Sequence, residues 1–441
     1  MHVTDSADGN RLRRSLRIRD GLAIVVGIMV GSGIFRTPGI VAARVGRPSW
    51  TFVAWLLGGA LALVGAFVFA ELSTRHPRAG GKYVYAGEAF GPRAAFVVGW
   101  VEAGIYCVAI AAIGVVCGEY ASRLAGRPGA DPHLLGASFV LLVTGVNLWG
   151  VALARWTQNV ATTLKVLALL GVVVVAAAAG SGAGWTSSLP TAPTGAAVWT
   201  TFALAFQPVL WTYYGYPDAA KIAEEVKDPG RSLPRIYLIS VAAVTALYLL
   251  LNAAYLHVLQ LDRIAASPLV AGDVVARVFG DRAGAWTAAL ALVVVLSSLN
   301  GNAFTTPRVV FGLARDGLGP PALARVHRRG TPWTATLFVG TVSLVLAASG
   351  SFETLLSLAI LLILLIDGFM MIVLFRLRSG EPASPFGVPL YPWLPSLFLA
   401  VYALCFAAGA VDSPPLAGIA LATVGAAYGL ARATVRSGAR T

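Results

Sequence analysis

Apolar runs of about twenty residues, the length a helix needs to cross roughly 30 Å of hydrocarbon, recur from residue 21 to residue 433 with no polar domain between them. They fall near 21–43, 51–74, 93–122, 133–150, 155–179, 198–223, 233–257, 283–313, 332–349, 352–376, 391–411 and 415–433. Only 12% of the 441 residues are charged, against roughly 25% in soluble domains, so the chain cannot clothe a water-facing surface. The sequence therefore predicts an all-α, multi-pass cell-membrane protein of about twelve spans. The basic stretch Arg11 to Arg19 leads into a long apolar run with no small-residue cleavage site, so the first span is expected to be retained rather than removed as a signal peptide.

The net charge of +13 is explained by orientation rather than by nucleic acid, since no basic patch alternates with aromatics. With the amino terminus inside, 24 of the 33 Lys and Arg residues fall in inner connections and seven in outer ones, with Arg36 and Lys165 within spans. Cytoplasmic loops are enriched in these residues, so both termini are expected in the cytoplasm. Cys107, Cys117 and Cys405 lie inside apolar runs at spacings that suit neither disulfides nor a metal. The five histidines sit in loops or at span ends, and no Walker-type glycine loop occurs. No enzyme, metal, cofactor or ATP-driven pump is expected, and a channel would call for a repeated pore-lining pattern that is missing.

Two spans are interrupted in corresponding places. The first contains Gly27, Gly31-Ser32-Gly33 and Pro38-Gly39, although each Gly costs about 1 kcal/mol relative to Ala in a regular helix. The sixth contains Trp211-Thr212-Tyr213-Tyr214-Gly215-Tyr216-Pro217-Asp218. Small residues can serve close helix packing. Paired discontinuities in the two halves of a chain can instead mark a transporter's midplane binding site.

Four stretches carry a family resemblance: Val30-Gly31-Ser32-Gly33-Ile34-Phe35; Pro77-Arg78-Ala79-Gly80-Gly81-Lys82-Tyr83 with Glu88-Ala89-Phe90-Gly91; Gln158-Asn159 with Thr163-Leu164-Lys165; and Glu224-Glu225-Val226-Lys227-Asp228-Pro229 with Arg231 to Arg235. In order and placement they resemble the amino acid, polyamine and organocation transporter superfamily, most closely its sodium-independent L-type and bacterial alanine/serine/threonine exchanger branch. The resemblance implies a LeuT-type fold. Its parts would be a cytoplasmic tail over 1–20, a first inverted repeat over 21–179, a second over 198–376, two further spans over 391–433, and a cytoplasmic tail over 434–441. It also implies a sodium-independent transporter of small amino acids, working by alternating access and exchange. A proton-coupled symporter and a cationic amino acid or polyamine transporter are the alternatives. The lipid bilayer and the amino acid are the implied partners, and an accessory subunit is left open.

Site roles follow from the same resemblance. The amides of Ser32 and Gly33, beside Gly31, would take a substrate carboxylate at the positive end of a half-helix. The carbonyls of Met29, Trp211 and Tyr214, around Gly215, would take the ammonium, and Trp211 would cover the site as a gate. The branch often carries Asp and Trp beside the span-six Gly, where this chain has Tyr214 and Tyr216. Lys165, with only apolar residues from 166 to 179 after it, would stand where sodium-coupled relatives hold sodium, bridging spans one and eight. Burial disfavours its charge and carbonyl dipoles favour it; the first outcome would make a proton symporter, the second a fixed strut in an exchanger. Arg36, Glu102, Asp218, Asn300, Asn302 and Asp367 also lie at span depth and receive no assigned role.

Overall fold

A computed structural model describes residues 12 to 435 apart from 13, 127–130, 191, 193, 194, 196, 268, 281, 282, 350 and 351. Most of the two expected tails, 1–11 and 436–441, lies outside the described residues. Among the described residues the fold is all-α, with one isolated bridge between Leu16 and Val226.

The first run is two helices, α1 (Ile18–Met29) and α2 (Gly33–Val45), set at 42° to one another across the Gly31-Ser32 break. α2 ends at Gly46, whose φ of 65° gives the left-handed C-cap that glycine adopts without strain. Then come α3 (Pro48–Arg75), a short buried α4 (Lys82–Phe90), α5 (Pro92–Leu124), α6 (Pro132–Trp149), α7 (Val151–Ala179) and a single turn, α8 (Ala183–Thr186). The sixth run begins as α9 (Ala197–Tyr213), breaks at Tyr214-Gly215, and continues as 3-10 segments at Tyr216–Ala220 and Ala223–Glu225. α10 (Pro229–Val258) is followed by two short helices the hydropathy pattern did not resolve, α11 (Leu261–Ala266) and α12 (Val270–Phe279). The remainder is α13 (Ala283–Arg315), α14 (Trp333–Ala348), α15 (Phe352–Gly380), α16 (Trp393–Asp412) and α17 (Pro414–Thr434).

Proline opens α3, α6, α10 and α17, where its missing N–H would have had no helical acceptor. Asp131 adds a side-chain cap to α6, accepting from the His133 amide at 2.8 Å. Among the described residues nine helices are long and apolar enough to cross a membrane, and the bent α1–α2 pair makes a tenth. The two remaining expected spans are the interrupted α9 and the 16-residue α14. The molecule is a multi-pass membrane protein. Its centre is built where α1 meets α7, α10 and α13, where α2 lies along α9, and where α5 lies along α13. Both interruptions therefore face one another inside the bundle.

Candidate substrate cleft

The two breaks approach closely enough to dictate residue size. Gly215 has a φ of 124°, and a Cβ there would lie 3.0 Å from the Met29 amide nitrogen, so the sixth-span break can cross the first only with glycine. A Cβ on Gly33 would stand 2.6 Å from Thr212 Oγ1. That hydroxyl is itself held by the Pro208 carbonyl and the Thr37 hydroxyl, each at 2.7 Å. Close packing of α2 on α9 thus accounts for Gly33 directly.

One cleft opens between the breaks. Met29, Gly31, Ser32 and Gly33 line it from the first, and Trp211, Tyr214 and Gly215 from the sixth, so all seven residues singled out around the interruptions border the same space. Tyr106 and Ile105 of α5, Asp218 of the sixth-span break, Ser298 and Asn302 of α13 and Ile363 of α15 also line it. Trp211 lies parallel to Tyr214, with centroids 6.4 Å apart and planes within 7°.

The backbone groups freed by the breaks are largely taken by side chains of other helices. Tyr248 donates its hydroxyl to the Met29 carbonyl at 2.8 Å and to the Thr212 carbonyl at 3.2 Å. Ser298 donates to the Ile28 carbonyl at 3.1 Å, and the Tyr214 amide donates to the Trp211 carbonyl at 3.0 Å. Two of the three carbonyls that the resemblance implies for an ammonium, those of Met29 and Trp211, therefore already have a donor. At the start of α2 the first amides have no intrahelical acceptor, and the helix dipole favours negative charge there.

Lys165 stands apart from the cleft lining. It is fully buried, and its Nζ donates to the carbonyls of Gly27 and Val30, each at 2.6 Å, and of Val294 at 3.3 Å. Those carbonyls belong to α1, the break after it, and α13, so the ammonium joins the first and eighth spans. The polar residues of α13 divide. Asn300 ties helices together, donating to Gln158 Oε1 at 2.8 Å and accepting from Asn147 at 3.1 Å; Asn302 borders the cleft. Arg36 forms an ion pair with Glu119, joining α2 to α5.

Three cations counted among the inner connections are not in solvent: Lys82, Lys221 and Arg308 are each at most 2% exposed. Asp367, isolated in the sequence of its span, has Lys82 Nζ at 2.6 Å. Arg308 pairs with Glu225 at 2.8 Å. The signal that could have exposed this was an imbalance: Glu102, Asp218 and Asp367 sit at span depth with Lys165 and Arg36 as the only cations assigned there, and buried carboxylates need partners.

The quoted motifs meet below the cleft. Glu224 accepts from the amides of Leu12 and Ala79, each at 2.9 Å, and from Arg315 at 2.8 Å. Burial pushes its carboxyl up, but the Ala79 amide and the Arg315 guanidinium outweigh this and hold it below the ordinary carboxylate range. Glu71 similarly gathers Arg75, Arg378 and the Val388 amide.

A polytopic helical protein with two interrupted spans walling one cleft has the build of a membrane transporter. The chain belongs to the amino acid permease family, whose model matches residues 20–421, and it is an amino acid transporter rather than an enzyme. It is 30% identical over 407 residues to the serine/threonine exchanger SteT of Bacillus subtilis (strain 168), covering 91% of both chains. It is 28% identical over 420 residues to the mouse b(0,+)-type amino acid transporter 1, covering 91% of this chain and 84% of that protein. Over 400 residues it is 29% identical to the human cystine/glutamate transporter, covering 88% and 78% respectively.

Proposed function

We propose that the protein exchanges small amino acids across the membrane without sodium, by alternating access around the cleft between α1–α2 and α9, with spans 21–179 and 198–376 acting as two inverted halves. The observation that carries the sodium-independent part is Lys165. A covalently attached ammonium already satisfies the carbonyls of Gly27, Val30 and Val294, so an added monovalent cation would find no vacant oxygens there. In this reading the free amides of Ser32 and Gly33 take the carboxylate of the substrate. Its ammonium turns to the Tyr214 carbonyl, because the Met29 carbonyl already accepts from both the Tyr248 hydroxyl and the Gly31 amide. Trp211 closes over both.

Small side chains are favoured because Tyr106, Trp211, Tyr214 and Ile363 crowd the space beyond the breaks. Similarity to a serine/threonine exchanger directs the first substrates to try. Purified protein in proteoliposomes should take up labelled serine, threonine or alanine only when the lumen holds unlabelled amino acid, equally in sodium and choline buffers. Sodium-dependent uptake, or strong uptake into empty vesicles under an inward proton gradient, would refute the sodium-free exchange reading.

A further inference from the structure

Beneath the cleft lies a cluster of five ionisable side chains from separate parts of the chain: Lys82 on α4, Glu102 on α5, Asp218 and Lys221 at the 3-10 segment, and Asp367 on α15. Each is at most 2% exposed. Lys82 Nζ lies 2.6 Å from Asp367 and 3.6 Å from Glu102. Lys221 is in contact with Asp218 and stands 3.9 Å from Glu102. The aspartates therefore each hold one ammonium closely, and the glutamate sits between the two pairs with its nearest ammonium groups at 3.6 and 3.9 Å.

The count of charges is uneven. Three carboxyls face two ammonium groups, and an uncompensated buried charge costs several kcal/mol. Neutralising either lysine would widen the imbalance; a single proton on a carboxyl removes it. Asp367 and Asp218 are stabilised as anions by their close ammonium contacts, and Asp218 also accepts from the Tyr106 hydroxyl at 3.2 Å. Glu102 has neither advantage. Its charged and titratable neighbours are Lys82 and Tyr85 of α4, Asp218, Lys221 and Tyr214 of the sixth-span break, Asp367 of α15 and Tyr106 on its own helix.

We propose that Glu102 is a proton-binding site: its carboxyl carries a proton while this cluster is closed, and releases it when the cluster is drawn apart. The cluster is wired to the cleft. Asp218 borders the cleft, and Lys82 donates to the Tyr214 hydroxyl at 2.7 Å. Movement of the sixth-span break against α4, α5 and α15 therefore leaves both close ion pairs intact but carries Lys221 away from Glu102, breaks the Lys82–Tyr214 and Tyr106–Asp218 hydrogen bonds, and opens the surroundings of the carboxyl. Loss of the proton leaves a net negative charge that disfavours closure, so turnover should slow as pH rises. This last step deepens the exchange reading and rests on it, whereas the proton itself does not.

The test uses the full-length protein, with E102Q as the neutral isostere of a protonated carboxyl. Infrared spectroscopy of wild type at neutral pH should show the carbonyl stretch of a buried protonated carboxyl, and E102Q should lack it. Thermal unfolding assigns the proton. E102Q should melt with wild type while D367N, which loses the Lys82 ion pair, melts lower; the reverse order, or an E102Q that fails to fold where D367N folds, places the proton elsewhere and overturns the proposal. The folded state binds more protons than the unfolded one, so wild-type stability should fall as pH rises and that of E102Q should not. In proteoliposomes the wild-type exchange rate should fall by up to about tenfold per pH unit, the limit for one proton, with E102Q flat. A missing infrared band in wild type, or identical pH profiles, refutes the site; preferential binding of lysine or arginine over serine would show that a substrate cation balances the charge instead. The infrared and unfolding measurements need no substrate, so failure of the exchange reading cannot be mistaken for failure of this one.

Discussion

Replacing Lys165 with alanine removes the one donor shared by three carbonyls, two at 2.6 Å and one at 3.3 Å. Hydrogen bonds from a charged donor contribute about 1.5–3 kcal/mol each; desolvating the ammonium takes back several kcal/mol. Removing one side of such a buried polar arrangement nevertheless costs about 3–5 kcal/mol, because the partners stay buried and unpaired. The carbonyls lie on α1, its break and α13, so the loss should appear as weakened attachment of the first span to the eighth. Cys107, Cys117 and Cys405 are free and buried, which supplies the assay: a thiol-reactive fluorogenic dye reports unfolding as these side chains become accessible. Lys165→Ala should melt well below wild type, and sodium should recover part of the loss where choline does not, since the vacated oxygens are arranged around a cation. Lys165→Met, which fills the space without a donor, should stay destabilised and ignore sodium. Melting of Lys165→Ala together with wild type would refute the account of the ammonium as the tie between these spans.

Three further outcomes follow from the same geometry. Gly33→Ala drives a Cβ to 2.6 Å from Thr212 Oγ1, so it should destabilise by about 1–3 kcal/mol, as overpacking does, and the double variant with Thr212→Ala should recover most of it in the same unfolding assay. Trp211→Phe should retain more exchange than Trp211→Ala, because an aromatic still covers the cleft; equal activities in proteoliposomes would count against a gate. Glu224 titrates below its unfolded value near 4.3, so its stabilisation is complete above that pH and is lost as pH falls through the lower folded value; Glu224→Gln should cost about 2 kcal/mol at neutral pH and flatten the acid limb of stability.

Much of the fold was legible because hydrocarbon thickness imposes a length, and the apolar runs repeat that length. The breaks were legible because Gly31-Ser32-Gly33 and Tyr214-Gly215 violate helix propensity within otherwise apolar spans. Lys165 was legible because no water is within reach of its stem. The charge cluster was not, for a physical reason: Lys82 and Lys221 sit beside connections, where a cation reads as solvated, and only folding carries α4 and the sixth-span break against α5 and α15. Gly33 was ambiguous in sequence because close packing and ligand access ask for the same residue. The 2.6 Å approach of Thr212 establishes the packing role without removing the other.

The hydrogen bonds of the first break also determine which ligand chemistry suits the cleft. The carbonyls it frees are claimed one after another: Gly27 and Val30 by Lys165, Ile28 by Ser298, Met29 by Tyr248. These donors come from α7, α10 and α13, so the negative end of α1 is neutralised by the protein itself. Nothing equivalent is needed of the protein at the start of α2, where Ser32 and Gly33 line the cleft and the dipole is positive. The break therefore spends its acceptors on holding the bundle together and the Val30 and Gly31 amides on its own carbonyls, so that the Ser32 and Gly33 amides are the donors the proposed function gives to a substrate. A carboxylate matches those donors, and its own companion ammonium must then be met mainly from the sixth-span side. On this reasoning the Tyr214–Gly215 turn, rather than Met29, discriminates an amino acid from a simple carboxylic acid, and propionate should compete with alanine far more weakly than D-alanine or β-alanine, which retain an ammonium.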